Sequence, residues 1–199
     1  NIAASQAFEA NIQKVEKFPV AKDGIFKLEM LAMEGSDHMV YVNNNSYDFM
    51  EYEGEMALRN YEIRVAVAST TDTIARMVMI QKAKGSSYEK AKEHATEVVF
   101  DYKLSDNTFT APNYIIVPKE NALSHQQTQI VIYLPVGTRF QMNQEFYDRY
   151  YRWVSNDGLN LKSTGRELYE MTASDPICLS CEEEIRPTGN GVETQLDRI

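Results

Sequence analysis

Apolar and polar residues alternate along much of this chain, and a period of two is typical of half-buried β-strands. In residues 25–33, for example, Phe26, Leu28 and Met30 fall on one face, with charged residues between them. Similar alternating or apolar runs occur at residues 39–42, 62–68, 74–82, 98–104, 108–111, 114–117, 127–134 and 138–142. Strands that recur at this spacing, separated by turn signals, predict a mainly β fold built of stacked hairpins, with solenoid-like character.

Short polar turns indicate which of these strands pair. The runs at 62–68 and 74–82 are joined by the polar residues 70–73, an arrangement that predicts a β-hairpin. Asp106-Asn107 is a second turn signal, and the run that follows it is expected to pair back on the run before it.

Prolines mark the expected ends and edges of strands. Pro112 and Pro118 flank one short apolar run, and Pro135 ends the run at 127–134. Proline has no backbone N–H to donate to a ladder, so it suits strand ends and edge strands. An edge that remains uncovered would be a natural docking surface for a partner by strand addition.

One or two short helices are expected to be inserted between the strands. Ser86 and Glu89 have the spacing of a capping box, which would start a helix. The apolar stripe of that helix is formed by Tyr88, Ala91, Ala95 and Val98. A second helix is predicted at residues 143–154. The N-terminal residues 3–18 predict a short amphipathic helix or a loosely held lead-in.

These elements divide the chain into three parts. Residues 1–60 are the lead-in and first strands, expected to belong to the same fold as residues 61–181, which form the β core. Residues 182–199 are acidic, contain Pro and Gly, and have little apolar content. Such a composition buries too little surface to offset the entropy of ordering, so a weakly structured tail is expected.

Composition and charge restrict the classes of partner. The chain has 199 residues, a net charge of −9 and a pI near 4.9, and its lysines and arginines do not cluster along the sequence. An acidic surface repels phosphate backbones and anionic lipid headgroups, so nucleic-acid binding is not expected. The chain begins at Asn1 without an initiator Met, and we expect a piece of a longer protein whose membrane segments are missing here.

Cys178 and Cys181 are the only cysteines, and three interpretations of the pair stay open. Two intervening residues would let both sulfurs reach one metal or form a redox couple. A local disulfide is the second interpretation, and it gains weight if the compartment is oxidising. A zinc site needs two more ligands, and the three histidines are scattered, so the metal interpretation is disfavoured. Two unreactive thiols are the favoured interpretation.

An aromatic and basic run contains the candidate interaction surface. Tyr147, Tyr150 and Trp153 alternate with arginines, which is typical of a platform for stacking bases or sugars. The alternative is an amphipathic helix that packs its rings on a sheet, and the net charge of −9 favours it. We expect any contact surface on this helix to serve a protein partner.

No sequence pattern indicates catalysis. Ser124 and His125 are adjacent, but adjacency does not place a base beside a hydroxyl, and a G-x-S-x-G elbow is absent. Phosphate-binding G-x-G-x-x-G and Walker motifs are absent too. The sequence therefore predicts a protein that is not an enzyme and binds no cofactor or metal.

Several segments resemble one known family: residues 80–95, 100–102, 113–120, 129–138, 167–172 and 178–181. Their pattern of strand, helix and Pro-x-Gly-Thr turn is similar to the C-terminal domain of PspC-domain (phage-shock-protein-C-type) membrane proteins of Bacteroidetes-like bacteria. The resemblance implies a toast-rack-like β-domain, related to the C-terminal domains of LiaF-type regulators, that follows a PspC module and several membrane helices.

The resemblance also implies a function. It predicts a non-catalytic sensory or interaction domain of a membrane-anchored envelope-stress regulator, which acts through protein partners or self-association and lies on the extracytoplasmic, periplasmic side of the cell membrane. It supplies no catalytic residues. The alternative is a secreted or surface-exposed adhesin-like domain that binds glycan or another surface polymer.

Overall fold

The computed structural model describes residues 8–33, 40–42, 45–149 and 166–181. The strands are β1 (Phe8–Phe18), β2 (Ile25–Leu31), β3 (Val40–Val42), β4 (Asn45–Tyr52), β5 (Glu55–Asn60), β6 (Ile63–Thr70), β7 (Ala75–Gly85), β8 (Lys103–Ser105), β9 (Thr108–Pro112), β10 (Ile115–Pro118), β11 (Gln127–Pro135), β12 (Arg139–Met142), β13 (Tyr169–Glu170) and β14 (Ile177–Cys178). The helices are α1 (Tyr88–Thr96) and α2 (Gln144–Arg149), with a short 3-10 helix at Lys119–Asn121. The predicted mainly β class with one or two short helices is confirmed.

The strands form three sheets. Sheet 1 has the order β1-β7-β11-β6, sheet 2 the order β10-β5-β4-β3, and sheet 3 the order β14-β13-β12-β2-β9-β8. One hydrophobic cluster joins them, with Met77 and Ile130 from sheet 1, Ile115 from sheet 2, and Phe26 and Phe109 from sheet 3. Because each of these side chains is at most 1% exposed, the sheets enclose a single core.

Strand β11 lies between β6 and β7, so the hairpin predicted for residues 62–68 and 74–82 is wrong. β11 pairs in parallel with β6 and antiparallel with β7. A two-residue hairpin turn of type I′ or II′ needs residues with positive φ, and residues 71–74 have none. They instead connect two strands that are separated by the width of a third. The inward residues of β11 suit this central position in the sheet, since Ile130, Ile132 and Leu134 are completely buried.

Tight hairpins form where the sequence supplies left-handed residues. Asp106 and Asn107 have φ values of 52° and 56°, and they connect β8 to β9 as predicted. Glu53 and Gly54 have φ values of 53° and 83° and connect β4 to β5. Positive φ at both central residues gives a type I′ turn, whose twist matches that of the flanking strands.

The N-terminal segment is a strand, so the predicted helix or lead-in over residues 3–18 is wrong from residue 8 onwards. β1 pairs antiparallel with β7 from Phe8 to Phe18 without interruption. The pattern was obscured because Lys14 and Glu16 lie on the face that points to the core. The Lys14 ammonium lies 5.3 Å from the Tyr102 ring centroid, and the Tyr102 hydroxyl donates to Glu16.

Helix α1 forms at its predicted place, with its cap shifted by one residue. The N-cap is Ser87, whose hydroxyl accepts from the Lys90 N–H at 3.1 Å, so the predicted capping box of Ser86 and Glu89 is wrong. Ala91 and Ala95 are completely buried, as the apolar stripe predicted, whereas Tyr88 at the start of the stripe is 55% exposed. Because the buried side chains of this face are only methyl groups, the helix can approach β7 and β1 closely.

The remaining expectations are met in part. The predicted strand at 98–104 is shorter, because only Lys103–Ser105 form β8 and Val99 makes an isolated bridge to Ile116. Residues of the predicted second helix after Arg149, and the predicted tail at 182–199, lie outside the described residues. Neither helix of the described part has the length and apolar character that a bilayer crossing requires.

The close approach of α1 to the end of β7 generates a prediction about Gly85. A Cβ at this position would lie 2.5 Å from the Ala91 nitrogen and 2.8 Å from the Lys90 carbonyl carbon. Backbone atoms cannot rotate away, so Gly85→Ala should lower the free energy of unfolding by about 3 kcal/mol, as overpacking does. Urea denaturation followed by circular dichroism measures the change.

Gly137→Ala is the matched control for Gly85→Ala. Gly137 has a φ of 87°, but a Cβ added there would meet no other atom within 4 Å, so only conformational strain of about 1 kcal/mol is expected. Equal losses for the two variants would contradict a packing role for Gly85.

Candidate functional site

An open groove runs between the β8–β9 hairpin of sheet 3 and the β4 and β10 region of sheet 2. Its volume is about 820 Å³. Its apolar surface comes from Leu31, Met50, Tyr52, Tyr102 and Tyr114, together with the end of β9. Its polar surface comes from residues 101–110 of the hairpin, where an exposed lysine lies among two exposed aspartates, Ser105 and two threonines.

Strand β8 supplies one wall of this groove, and it is the last strand of sheet 3 in the described part of the chain. In a two-residue hairpin, the residues beside the turn exchange both hydrogen bonds and the next residue points its backbone away. Here Ser105 pairs with Thr108, so the N–H and C=O of Leu104 point away from β9. The edge of β8 therefore offers main-chain donors and acceptors next to Lys103 and Ser105, which line the groove.

An ion pair behind the groove holds the Tyr114 ring in place. The Arg59 guanidinium contacts the Asp48 carboxylate at 3.1 Å, and Asp48 is only 1% exposed. The same guanidinium lies 5.3 Å from the Tyr114 ring centroid, and Tyr61 meets that ring edge-on at 6.2 Å. Burial, and secondarily the nearby Asp48 carboxylate, raise the pKa of Tyr61.

Tyr102 is fixed on the opposite side of the groove. Its ring stacks on Phe109 at a centroid distance of 5.9 Å, and Lys14 lies over it. Burial raises the pKa of the Tyr102 hydroxyl, and its hydrogen bond to Glu16 raises it further. Because each end of the side chain is held, the groove presents a preformed aromatic surface.

The structure places Ser124 beside His94 of α1. It does not pair Ser124 with its sequence neighbour His125 for catalysis. The His94 Nδ1 lies 2.9 Å from the Ser124 Oγ and 2.8 Å from the Lys84 carbonyl oxygen. A carbonyl can only accept, so Nδ1 must carry a hydrogen and cannot take the serine proton. Ser124 is also buried, with an exposure of 6%. This contact is therefore a structural hydrogen bond between the end of β7, α1 and the loop before β11.

Cys178 and Cys181 form a disulfide, with a Cα–Cα distance of 5.6 Å, so the favoured interpretation of two unreactive thiols is wrong. The turn that it closes is also held to β13 by two hydrogen bonds: the Leu179 N–H donates to the Leu168 carbonyl, and the Leu168 N–H donates to the Ser180 hydroxyl. Among the described residues, no cluster of three or more histidine, cysteine or acidic side chains is arranged to hold a metal ion.

The aromatic surface predicted on the second helix is described only at its first member. Tyr147 is half-buried against the core, and its N–H donates to the Asn143 carbonyl. Tyr150 and Trp153 lie outside the described residues. Sequence reasoning missed the groove because Tyr52, Tyr102 and Tyr114 come from separate segments of the chain. The Asp106-Asn107 turn was the available signal, since it marks a hairpin at a sheet edge.

The fold and the groove define a mainly β domain of packed sheets with an open edge strand beside an aromatic surface. The chain belongs to the ToastRack family, described as found in some PspC proteins, which matches residues 39–184. The match confirms the toast-rack fold and the association with PspC proteins that the resemblance implied.

Other comparisons add little. No curated protein matches the chain in sequence. A crystal structure of a protein from Clostridium sporogenes ATCC 15579, named for a role in cell adhesion, aligns at 9% identity with a TM-score of 0.27. That alignment covers 67% of this chain and 46% of the other. At so low a TM-score the likeness indicates neither a shared fold nor a shared function.

The raised pKa values of Tyr61 and Tyr102 predict how stability depends on alkaline pH. The folded state holds these protons more tightly than the unfolded state, whose tyrosines titrate near pH 10. The resulting stabilisation is complete below that pH and is lost as the pH rises towards the folded-state pKa values. Tyr102→Phe should therefore make the alkaline loss of stability shallower, as measured by urea unfolding between about pH 8 and about pH 11.

Tyr88→Phe is the control for Tyr102→Phe. It also removes one tyrosine hydroxyl, but from a side chain that is 55% exposed on α1. A change of slope as large in Tyr88→Phe as in Tyr102→Phe would show that the groove tyrosine has no special part in the pH dependence.

Proposed function

We propose that this chain is a non-catalytic sensory and interaction domain of a membrane-anchored PspC-type envelope-stress regulator. It acts by binding an extended segment of a partner protein in the groove beside β8. Family membership supports the association with PspC. The single observation that carries the binding mode is that β8 ends sheet 3 among the described residues and forms a wall of the groove.

Strand addition uses the two kinds of surface that the groove presents. A partner segment beside β8 would pair with the outward N–H and C=O of Leu104, which supplies affinity that depends little on sequence. Alternate side chains of that segment would contact Met50, Tyr52 and Tyr114, which supplies specificity. Tyrosines lose little conformational entropy on binding, especially where neighbouring side chains already hold them, as at Tyr102 and Tyr114.

The disulfide supports an extracytoplasmic location for the domain. Disulfides persist in oxidising compartments and are reduced in the cytosol. Cys178 and Cys181 close the turn after β14, so the pair contributes to the end of sheet 3. We place the domain on the periplasmic side of the membrane. We also propose that its parent protein belongs to bacteria of the Bacteroidetes type and is related to LiaF-type regulators. Residues 1–60 and 61–181 act as one unit in this proposal.

Site-specific photo-crosslinking in cells tests the proposed binding mode. A photoreactive residue at Ser105, on the exposed hairpin of the groove, should crosslink the full-length parent protein to a discrete protein, and the yield should change under envelope stress. The same residue at Lys92, on the exposed side of α1, is the control and should give no such product.

Two substitutions at one position separate strand addition from side-chain contact. Leu104→Pro removes an N–H that makes no bond to β9, and it should abolish the Ser105 crosslink by removing a donor for the partner. Leu104→Ala keeps that N–H and should retain most of the crosslink. Equal loss in the two variants would contradict strand addition. Binding of soluble glycans in place of any protein would favour the adhesin-like alternative.

A further inference from the structure

The outward face of sheet 1 collects basic residues that are scattered in the sequence. Inward and outward positions alternate along each strand, and the core residues Met77, Met79 and Ile130 mark the inward set. Outward positions of the four strands hold five basic residues and one acidic residue, identified from the strand registers. They are Lys17, Arg64, Arg76, Lys82 and Lys84, with Glu9.

This segregation of charge differs strongly from the balance of the whole chain. The protein contains 29 acidic and 20 basic residues, for a net charge of −9. Within the strands of the face only Glu9 brings a carboxylate, at a corner where its cross-strand partner is Lys84, and Asp72 in the loop after β6 contacts Arg76 at 3.2 Å. Basic residues that do not cluster along the sequence are therefore brought onto one face in three dimensions. β-Pairing over long distances in sequence places them together.

The registers arrange the face in rows that run across the strands. An apolar row joins Val15, Val78, Val131 and Ala66. In the next row Lys17 is paired with Arg76, whose guanidinium lies 4.2 Å from the Tyr133 ring centroid. Cations therefore border an apolar strip, in which Val15 at the end is 54% exposed and Val78 and Ala66 are buried.

The face is broad and continuous, unlike the groove. Its four strands pair without a break in register, and no residue that lines the groove belongs to sheet 1. Strands that lie about 4.8 Å apart in a sheet make a surface that fits a flat partner better than a peptide. A flat partner with dense negative charge and an apolar interior below it is an anionic bilayer.

We propose that the outward face of sheet 1 docks on the headgroups of an anionic lipid bilayer. The five cations contact phosphate groups, and the apolar strip at Val15 faces the boundary between headgroups and acyl chains. The choice of lipid rests on the membrane anchoring proposed above, which would hold the domain beside a bilayer. The groove belongs to sheets 2 and 3, so docking leaves strand β8 to a protein partner.

Vesicle co-sedimentation tests this docking with the 199-residue chain. We expect binding to phosphatidylcholine vesicles that contain phosphatidylglycerol, no binding to phosphatidylcholine alone, and release by salt, because salt screens exposed charges. A lysine or arginine near an anionic surface contributes about fivefold to the partition coefficient. The double variant Lys17→Glu/Lys82→Glu should therefore bind at least about 25-fold more weakly.

Lys22→Glu/Lys92→Glu is the matched control, since it changes the net charge equally at two exposed lysines outside the face. It should retain most of the binding. Equal losses in the two double variants, or no binding of the wild-type chain at low salt, would overturn the proposal. Binding to soluble polyglutamate but not to vesicles would overturn it in favour of an acidic protein partner.

Failure of lipid docking is distinguishable from failure of the proposed function. The Ser105 crosslink reports on the groove and does not involve Lys17 or Lys82. If vesicles do not bind while that crosslink persists, only the lipid proposal is wrong. If vesicles bind and the crosslink is absent, the face is confirmed and the strand-addition site is wrong.

Discussion

The insertion of β11 between β6 and β7 is the constraint on which the rest of the structure depends. It fixes the order of sheet 1 and aligns β7 to receive β1 along its full length. It also directs the chain into sheet 3, because the turn after Pro135 leads directly to β12 beside β2. Gly137 makes that turn with a φ of 87°, and its N–H donates to the Met171 carbonyl. One buried strand therefore sets the relation between two sheets.

The sheets separate two chemically different surfaces. A groove with a polar and an aromatic surface lies where sheet 2 meets the end of sheet 3. A basic face lies on the outside of sheet 1. Their separation lets each surface keep its own electrostatic character within one acidic chain. A protein held on a membrane by one face would present the other to partners, which is what the two proposals together require.

Local sequence predicted what local physics determines. The alternation at 127–134 indicated β11, the alanine stripe indicated α1, and Asp106-Asn107 indicated a tight turn because left-handed φ values favour such residues. Local sequence could not predict that β6 pairs with β11, because nothing in residues 62–82 indicates a strand that comes almost fifty residues later. β1 was missed because Lys14 and Glu16 occupy core-side positions and meet Tyr102, which lies far along the chain. The groove and the basic face need registers between distant strands, so neither has a contiguous signature.

The central position of β11 also has a consequence for biogenesis. Until residues 127–135 have been synthesised, β6 and β7 lack the strand that separates them, and β2 pairs with β12, which is later still. Contacts so distant along the chain slow folding, because loop-closure entropy must be overcome before they form. In the emerging chain, β6 and one side of β7 would therefore stay unpaired until β11 arrives, and unpaired strands are prone to aggregate.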